Sequence, residues 1–147
     1  MNIRKFSQEI SDIIPTIFIY FVKSQKNKLT SGELTFPQIV ILDYLFKKGI
    51  CKMSDLSMVL GVTGAGATGL VDRLIKLGMV NRFRSDDDRR VVKVILTQKG
   101  IKSLKKIQSQ RLRTIAELFS DLNYEERKQY LHILKKLQKN IQKRLNR

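Results

Sequence analysis

Between Lys52 and Gly78 two helical patterns are separated by a single glycine, and that spacing leaves few folds open. Ser54 can cap a short helix, Asp55 to Leu60, whose inner face is Leu56, Val59 and Leu60. Gly61 then supplies the left-handed residue that ends it, Val62 the apolar contact that follows, and Thr63 the N-cap of a second helix. That second helix sets Ala67, Leu70, Val71, Leu74 and Ile75 along one amphipathic face, turns Ala65, Thr68, Gly69, Asp72, Arg73 and Lys76 outward, and stops at Gly78. Two helices joined by a tight glycine turn read as a helix-turn-helix.

The same stretch spells another motif. Gly64-Ala65-Gly66-Ala67-Thr68-Gly69 matches GxGxxG, and Asp86 to Asp88 fall 17 to 19 positions beyond Gly69, where a dinucleotide site keeps its ribose-binding carboxylate. The motif needs a strand before the first glycine and a second parallel strand before the acid. Here a short helix and a glycine turn precede it, and the aspartates sit in a hairpin turn. Within a helix each glycine costs about 1 kcal/mol against alanine, so three of them require a reason. In a helix-turn-helix the second helix enters the major groove with its N-terminal residues at the base edges. Bare positions 64, 66 and 69 would let the backbone approach phosphate or bases directly; they would equally ease packing against the preceding helix.

The rest of the chain builds around this pair. Residues 6–28 carry Ile10, Ile13, Ile14, Ile17, Phe18 and Phe21 at helical spacing. The apolar run 13–22 within it is too short to span a bilayer, follows Glu9 and Asp12 and lacks a cleavage site, so it reads as part of a buried helix with Pro15 as a kink or a late start. Thr35 and Gln38 make a capping box, and Leu34 with Ile39 a hydrophobic staple, for a helix over 36–48 that ends at Gly49. Residues 79–84 and 91–96 are β-prone around the turn-forming 85–90, hence a hairpin. Thr97 can cap a long helix that breaks near Asp121, and Asn123 with Glu126 caps a last one with the stripe Leu131, Leu134, Leu137 and Ile141. The fold class is mainly α, in one domain of 147 residues, with one small β-hairpin.

Charge speaks to partners. The formal net charge is +16, from 29 basic and 13 acidic side chains, which favours an acidic polymer or surface. Residues 99–147 hold 14 basic against 4 acidic residues, and there a solvated face and attraction of DNA are both open readings. Cys51 is the only cysteine and His132 the only histidine, which excludes an internal disulfide and a multi-thiolate zinc site and points to a reduced, cytoplasmic compartment. Asp86 to Asp88 lack the glycine and distal glutamate of a calcium loop, and His132 has no carboxylate or thiolate at ligand or triad spacing. No enzyme, metal or cofactor is expected, and no membrane partner.

Three quoted stretches carry a resemblance. Leu34-Thr35-x-x-Gln38, the run Gly69-Leu70-Val71-Asp72-Arg73-Leu74-Ile75-Lys76-Leu77-Gly78, and the wing Arg82…Ser85-Asp86-Asp87-Asp88-Arg89-Arg90…Val94-Ile95-Leu96-Thr97-x-x-Gly100 resemble the MarR family of winged-helix regulators over nearly the whole chain. The resemblance implies a homodimer on pseudo-palindromic double-stranded DNA, with 1–30 and 101–147 as dimerisation helices and 35–98 as the winged-helix region. It makes Thr63 to Arg73 the recognition helix, Arg89 the wing-tip side chain in the minor groove, and Asp88 with Arg90 the pair that shapes the wing. The DNA-binding set is Ser54, Thr63, Gly64, Ala65, Gly66, Thr68, Gly69, Arg73, Arg82, Arg84, Arg89 and Arg90. Gly69 stands where some members carry a base-reading arginine, so discrimination falls to Thr63, Thr68, Arg73 and DNA shape. The family arrangement also implies a pocket for a small aromatic ligand, lined by Ile17, Tyr20, Phe21 and Phe46. Other members use a reactive cysteine near the N-terminus; Cys51 lies outside that region and is expected to be an inert buried thiol. The function expected is a sequence-selective repressor relieved by a ligand. A non-sequence-specific, architectural nucleic-acid binder shares the charge but gives no reason for the helix-turn-helix and wing.

Overall fold

The computed structural model describes residues 1–26 and 34–145. Its elements are α1 (Ile3–Lys26), α2 (Phe36–Lys48), β1 (Cys51–Lys52), α3 (Met53–Leu60), α4 (Gly64–Lys76), β2 (Val80–Arg84), β3 (Val92–Leu96), α5 (Gln98–Leu118) and α6 (Tyr124–Leu145). They fall into two compact units, Met1–Arg111 and Leu112–Arg147, divided within α5.

The core of the first unit joins Ile41, Leu42 and Leu45 of α2, Leu56 of α3, Val71 and Leu74 of α4, Val80 and Val94 of the sheet, and Leu104 and Ile107 of α5. Each such side chain contributes about 1.5–3 kcal/mol on burial, enough together to hold three short helices and a hairpin around one centre. Helix α2 starts as its cap sequence specifies. The Thr35 N–H donates to Gln38 Oε1 at 2.9 Å, its hydroxyl donates to the same oxygen at 3.2 Å, and Leu34, Gln38 and Ile39 are buried. Gly49, at φ 78°, ends the helix.

Helix α3 departs from expectation. Ser54 is not its cap: the N-cap is Lys52, whose backbone N–H donates to the Asp55 carboxylate at 2.9 Å. The reason is β1, two residues that pair with β3 and feed straight into the helix. A lysine offers no side-chain acceptor, so cap rules pass over it. Val59, assigned to the inner face, is 45% exposed, leaving Leu56 fully buried and Leu60 partly so.

The expected hairpin forms, with Val80↔Leu96 to Arg84↔Val92 as its register. Strand β1 adds to the free edge of β3 through Cys51↔Val94 and Lys52↔Lys93, giving the order β1-β3-β2. Pairing buries Cys51, and that burial, with the Asp55 charge nearby, pushes its thiol above the ordinary range. A thiol held protonated is a poor nucleophile.

Helix α1 runs through Pro15 instead of starting at it; positions 27 and 28 of the expected helix lie outside the described residues. Its apolar stripe is not buried, which corrects the reading above. Ile10, Ile13, Ile14, Ile17 and Phe18 are exposed, Phe18 meeting Phe36 edge-on at 6.0 Å. A period of 3.6 specifies that a face be covered, not by what. In the second unit, Asn123 and Glu126 cap α6 reciprocally at 2.7 and 3.1 Å, and Phe119 packs on Tyr130 at 5.1 Å between ring centroids. Leu131, Leu134, Leu137 and Ile141 are exposed here too, as is His132. Among the described residues no single helix is long and apolar enough to cross a membrane.

One polar contact pins α5 to α2. The Asp43 carboxylate accepts from Arg111 at 3.0 and 3.3 Å and from Gln108 at 3.0 Å. Partial burial raises the Asp43 pKa, but the hydrogen bonds from Arg111 and Gln108 and the charges of Arg111 and Lys47 outweigh it and hold the carboxyl below its ordinary value. Because the folded pKa is depressed, the stabilisation is present above the unfolded pKa and is lost as pH falls through the folded one. Asp43→Asn should cost about 1–2 kcal/mol at neutral pH, given the partial exposure of Arg111. Urea midpoints should show that gap at pH 7 and its closure in acid; a gap that is independent of pH would mean that the charge is irrelevant.

Candidate nucleic-acid interface

Helices α3 and α4 meet at 107°, in the range of helix-turn-helix pairs. Gly61, left-handed at φ 64°, makes the turn, with its N–H on the Met58 carbonyl at 3.2 Å and that of Val62 on Ser57 at 3.1 Å. The Thr63 hydroxyl accepts the Gly66 N–H at 3.2 Å, as an N-cap should. Gly64 through Gly69 therefore lie inside α4, and no phosphate-binding loop exists there. Ala67, Val71 and Leu74 are fully buried; Thr63 to Gly66, Gly69, Arg73 and Lys76 are exposed. Thr68 is half-buried, and its hydroxyl donates to the Gly64 carbonyl at 2.9 Å. That leaves a methyl group and oxygen lone pairs for a partner.

The glycines can now be separated. A methyl group at Gly64 or Gly69 would meet nothing within 4 Å, and one at Gly66 would touch only Thr63 and Val62. None of the three eases packing against α3. They lower helix stability and return only an unobstructed backbone on the outer side of α4. Gly69→Ala and Gly64→Ala should each stabilise the protein by roughly 0.5–1 kcal/mol while weakening operator binding several-fold. Melting curves and DNA titrations of the same preparations test this: unchanged or tighter binding would place this surface away from the DNA.

The wing tip is closed by main-chain bonds. Ser85 N–H donates to the Val91 carbonyl and Val91 N–H to that of Asp88, both at 2.9 Å. Asp88 does not pair with the Arg90 guanidinium as expected; its carboxylate accepts the Arg90 backbone N–H at 2.9 Å. Two residues apart in a tight turn, an aspartate meets the following backbone more readily than the side chain. The ion pair that braces the wing is instead Arg82 with Asp72 of α4, at 2.7 Å. Arg82 is thus engaged in holding β2 to α4, a partnership that sequence separation concealed. Among the described residues no carboxylate pairs with Arg84, Arg89 or Arg90. All three are exposed.

Ser54, Thr68, Arg82 and Arg90 come together with Lys52, Met53, Val91 and Val92 around a cleft of about 470 Å³. With Arg82 held by Asp72 and the Thr68 hydroxyl spent on Gly64, Lys52, Arg90 and the Ser54 hydroxyl are the groups of this cleft suited to anionic oxygen. Ile17, Tyr20, Phe21 and Phe46 do not line this cleft; the first three lie on α1, where Tyr20 stacks edge-on with Phe21, and Phe46 is exposed on α2.

The MarR family model matches residues 34–92, from the start of α2 into β3. The HTH-type transcriptional repressor MdtR of Bacillus subtilis is 32% identical over 133 residues, 88% of this chain and 86% of that one. The chain belongs to the MarR family. A shorter match to the HTH-type transcriptional regulator YfiV of Bacillus subtilis, 40% identical, spans 48% of this chain and 44% of that relative. A MarR family protein from Bacillus stearothermophilus superposes with a TM-score of 0.81 at 27% identity, covering 97% of this chain and 99% of that one. A mutant MarR from E. coli, solved with operator DNA, shares the fold at a TM-score of 0.73 and 22% identity, covering 93% and 99%. Within the MarR family this chain is a DNA-binding transcriptional regulator and not an enzyme. Residues 34–92 hold α4 and the first half of the wing, so the matched segment coincides with the cationic surface above.

Proposed function

We propose that this MarR-family chain is a repressor that binds a pseudo-palindromic operator as a homodimer, with 35–98 as the reading region and α1, α5 and α6 as the dimerisation region. One observation carries the reading: the outer side of α4 is stripped of side chains at Gly64 and Gly69 beside a wing whose exposed Arg84, Arg89 and Arg90 have no carboxylate partner among the described residues. A backbone that close to a duplex leaves base contacts to Thr63, Ala65, Thr68 and Arg73, and the rest of the discrimination to shape. Ser54 and Arg84 add phosphate contacts around Gly66 and the helix N-terminus. An effector, if small and aromatic, has apolar and aromatic lining in Ile17, Tyr20, Phe21 and Phe46. Selection from a random duplex pool tests the whole reading: an inverted repeat should be enriched, and recovery of random sequence would establish the non-specific alternative.

Arg89 is exposed in the wing turn, and a guanidinium is the favoured cation for a narrow minor groove. Arg89→Ala should lower the slope of log K against log salt by about 1 and leave thermal stability unchanged. Arg90→Ala keeps the backbone N–H that Asp88 needs, so it should reduce the slope likewise without disordering the tip. Asp88→Ala should loosen the tip. An unchanged slope for Arg89→Ala would remove the wing from the DNA.

A further inference from the structure

From Arg89 to Ala116 the chain carries nine basic residues and no acidic one. The wing holds three of them, and Arg111 is paired with Asp43. Lys99, Lys102, Lys105, Lys106 and Arg113 remain, all exposed on α5, and no described carboxylate forms an ion pair with any of them; the four lysines cluster in its first turns. At helical spacing Lys99, Lys102 and Lys106 share one side of α5, with Lys105 beside them, over about 10 Å of axis. By itself this arrangement is unfavourable on two counts. Like charges three and four residues apart repel, and the first turns of a helix are the positive end of its dipole. An external polyanion relieves both.

The surroundings narrow the partner. Beside the four lysines the apolar side of α5 is committed to the core through Leu104 and Ile107, and the exposed apolar residues of this helix, Leu112, Ile115 and Leu118, all come after the ridge, so the ridge itself has no free apolar face to sink into lipid. No aromatic residue lies between Thr97 and Ala116 to stack an unpaired base. Lys99 lies over Gly78, where an added methyl group would come 3.7 Å from its Cδ and 3.9 Å from its Nζ, so the ridge begins where α4 ends. It also begins at the base of the wing, five strand residues from the tip, or roughly 16 Å. The ridge is therefore set back from the wing tip, on a different element from α4 and the hairpin.

We propose that this lysine ridge of α5 is a second, sequence-independent DNA-binding surface, which takes the phosphodiester backbone of a duplex segment other than the one held by α4 and the wing. The inference rests on the DNA-reading role proposed for α4. Full-chain protein is saturated on an immobilised duplex carrying the enriched operator, and a second, fluorescent duplex of unrelated sequence is then offered at low salt. The wild type should retain the second duplex and release it steeply as salt rises; the triple variant Lys102→Gln, Lys105→Gln, Lys106→Gln should retain about 10-fold less while its operator affinity changes by less than about 2-fold. All three side chains are exposed, so the variant should melt with the wild type. No retention by the wild type, or equal retention by the variant, overturns the proposal, as does ridge-dependent binding to anionic vesicles or polyglutamate without capture of DNA. Failure to enrich any operator would count against the reading of α4 alone, since titration of random duplex with the same two proteins still reads the ridge.

Discussion

A single aspartate in place of Ile17 or Leu134 should abolish the folded dimer, not merely weaken it. Both side chains belong to stripes that the isolated chain leaves open: Ile17 is 38% exposed and Leu134 43%, among neighbours of the same kind on α1 and α6. Helix α6 buries no residue at all within the chain. Surfaces of this extent need a partner, and in the proposed homodimer a second copy would cover them with matching stripes. In a two-fold interface each substitution appears twice, and an uncompensated charge in an apolar seam costs several kcal/mol. That total reaches the whole stability of a small protein, about 5–15 kcal/mol. Light scattering with circular dichroism should therefore find the wild type dimeric and helical, Ile17→Val and Leu134→Met nearly so, and the aspartate variants unfolded or aggregated. A soluble, fully helical monomer of either aspartate variant would rule out the interlocked dimer.

Gly100→Ala should destabilise the protein by about 2–4 kcal/mol, although alanine is the better helix former. Gly100 is buried in the first turn of α5, where Thr97 caps its N–H at 3.0 Å. An added methyl group would overlap the Met79 carbonyl oxygen and press on Leu96. The carbonyl cannot yield easily, because it accepts the Thr97 N–H at 3.0 Å while the Thr97 hydroxyl donates to Gly78 at 2.7 Å. Thermal melting should show a drop on the order of 10 °C. Gly69→Ala, with open space around the new methyl group, is the matched control with the opposite sign. A Gly100→Ala protein as stable as wild type would mean that α5 can move off the wing base freely.

The contrast between those two glycines marks where reading along the chain stops. Caps, turns and stripes are local: Thr35 with Gln38, Gly61 before Thr63, Asn123 with Glu126 and the hairpin around 85–90 each depend on residues within a few positions, and each formed where the sequence placed it. The outer face of α4 was legible to the same extent, since its amphipathic period alone turns Ala65, Gly69 and Arg73 outward, and the matched family segment covers that helix. Long-range partners were not. Strand β1 exists because β3 offers a free edge 40-odd residues away, and its arrival moved the cap of α3 from Ser54 to Lys52. Arg82 belongs to Asp72, and Asp43 to Arg111, through contacts that no short-range pattern encodes. Asp88 took a backbone N–H that its turn brought within reach before any guanidinium could. A local pattern fixes which surface an element must hide and which dihedral angles it can hold, because both follow from side-chain period and backbone sterics. Which atoms meet that surface depends on how distant segments pack, and there one carbonyl oxygen, that of Met79, reverses the effect of a methyl group that helix propensity alone would welcome.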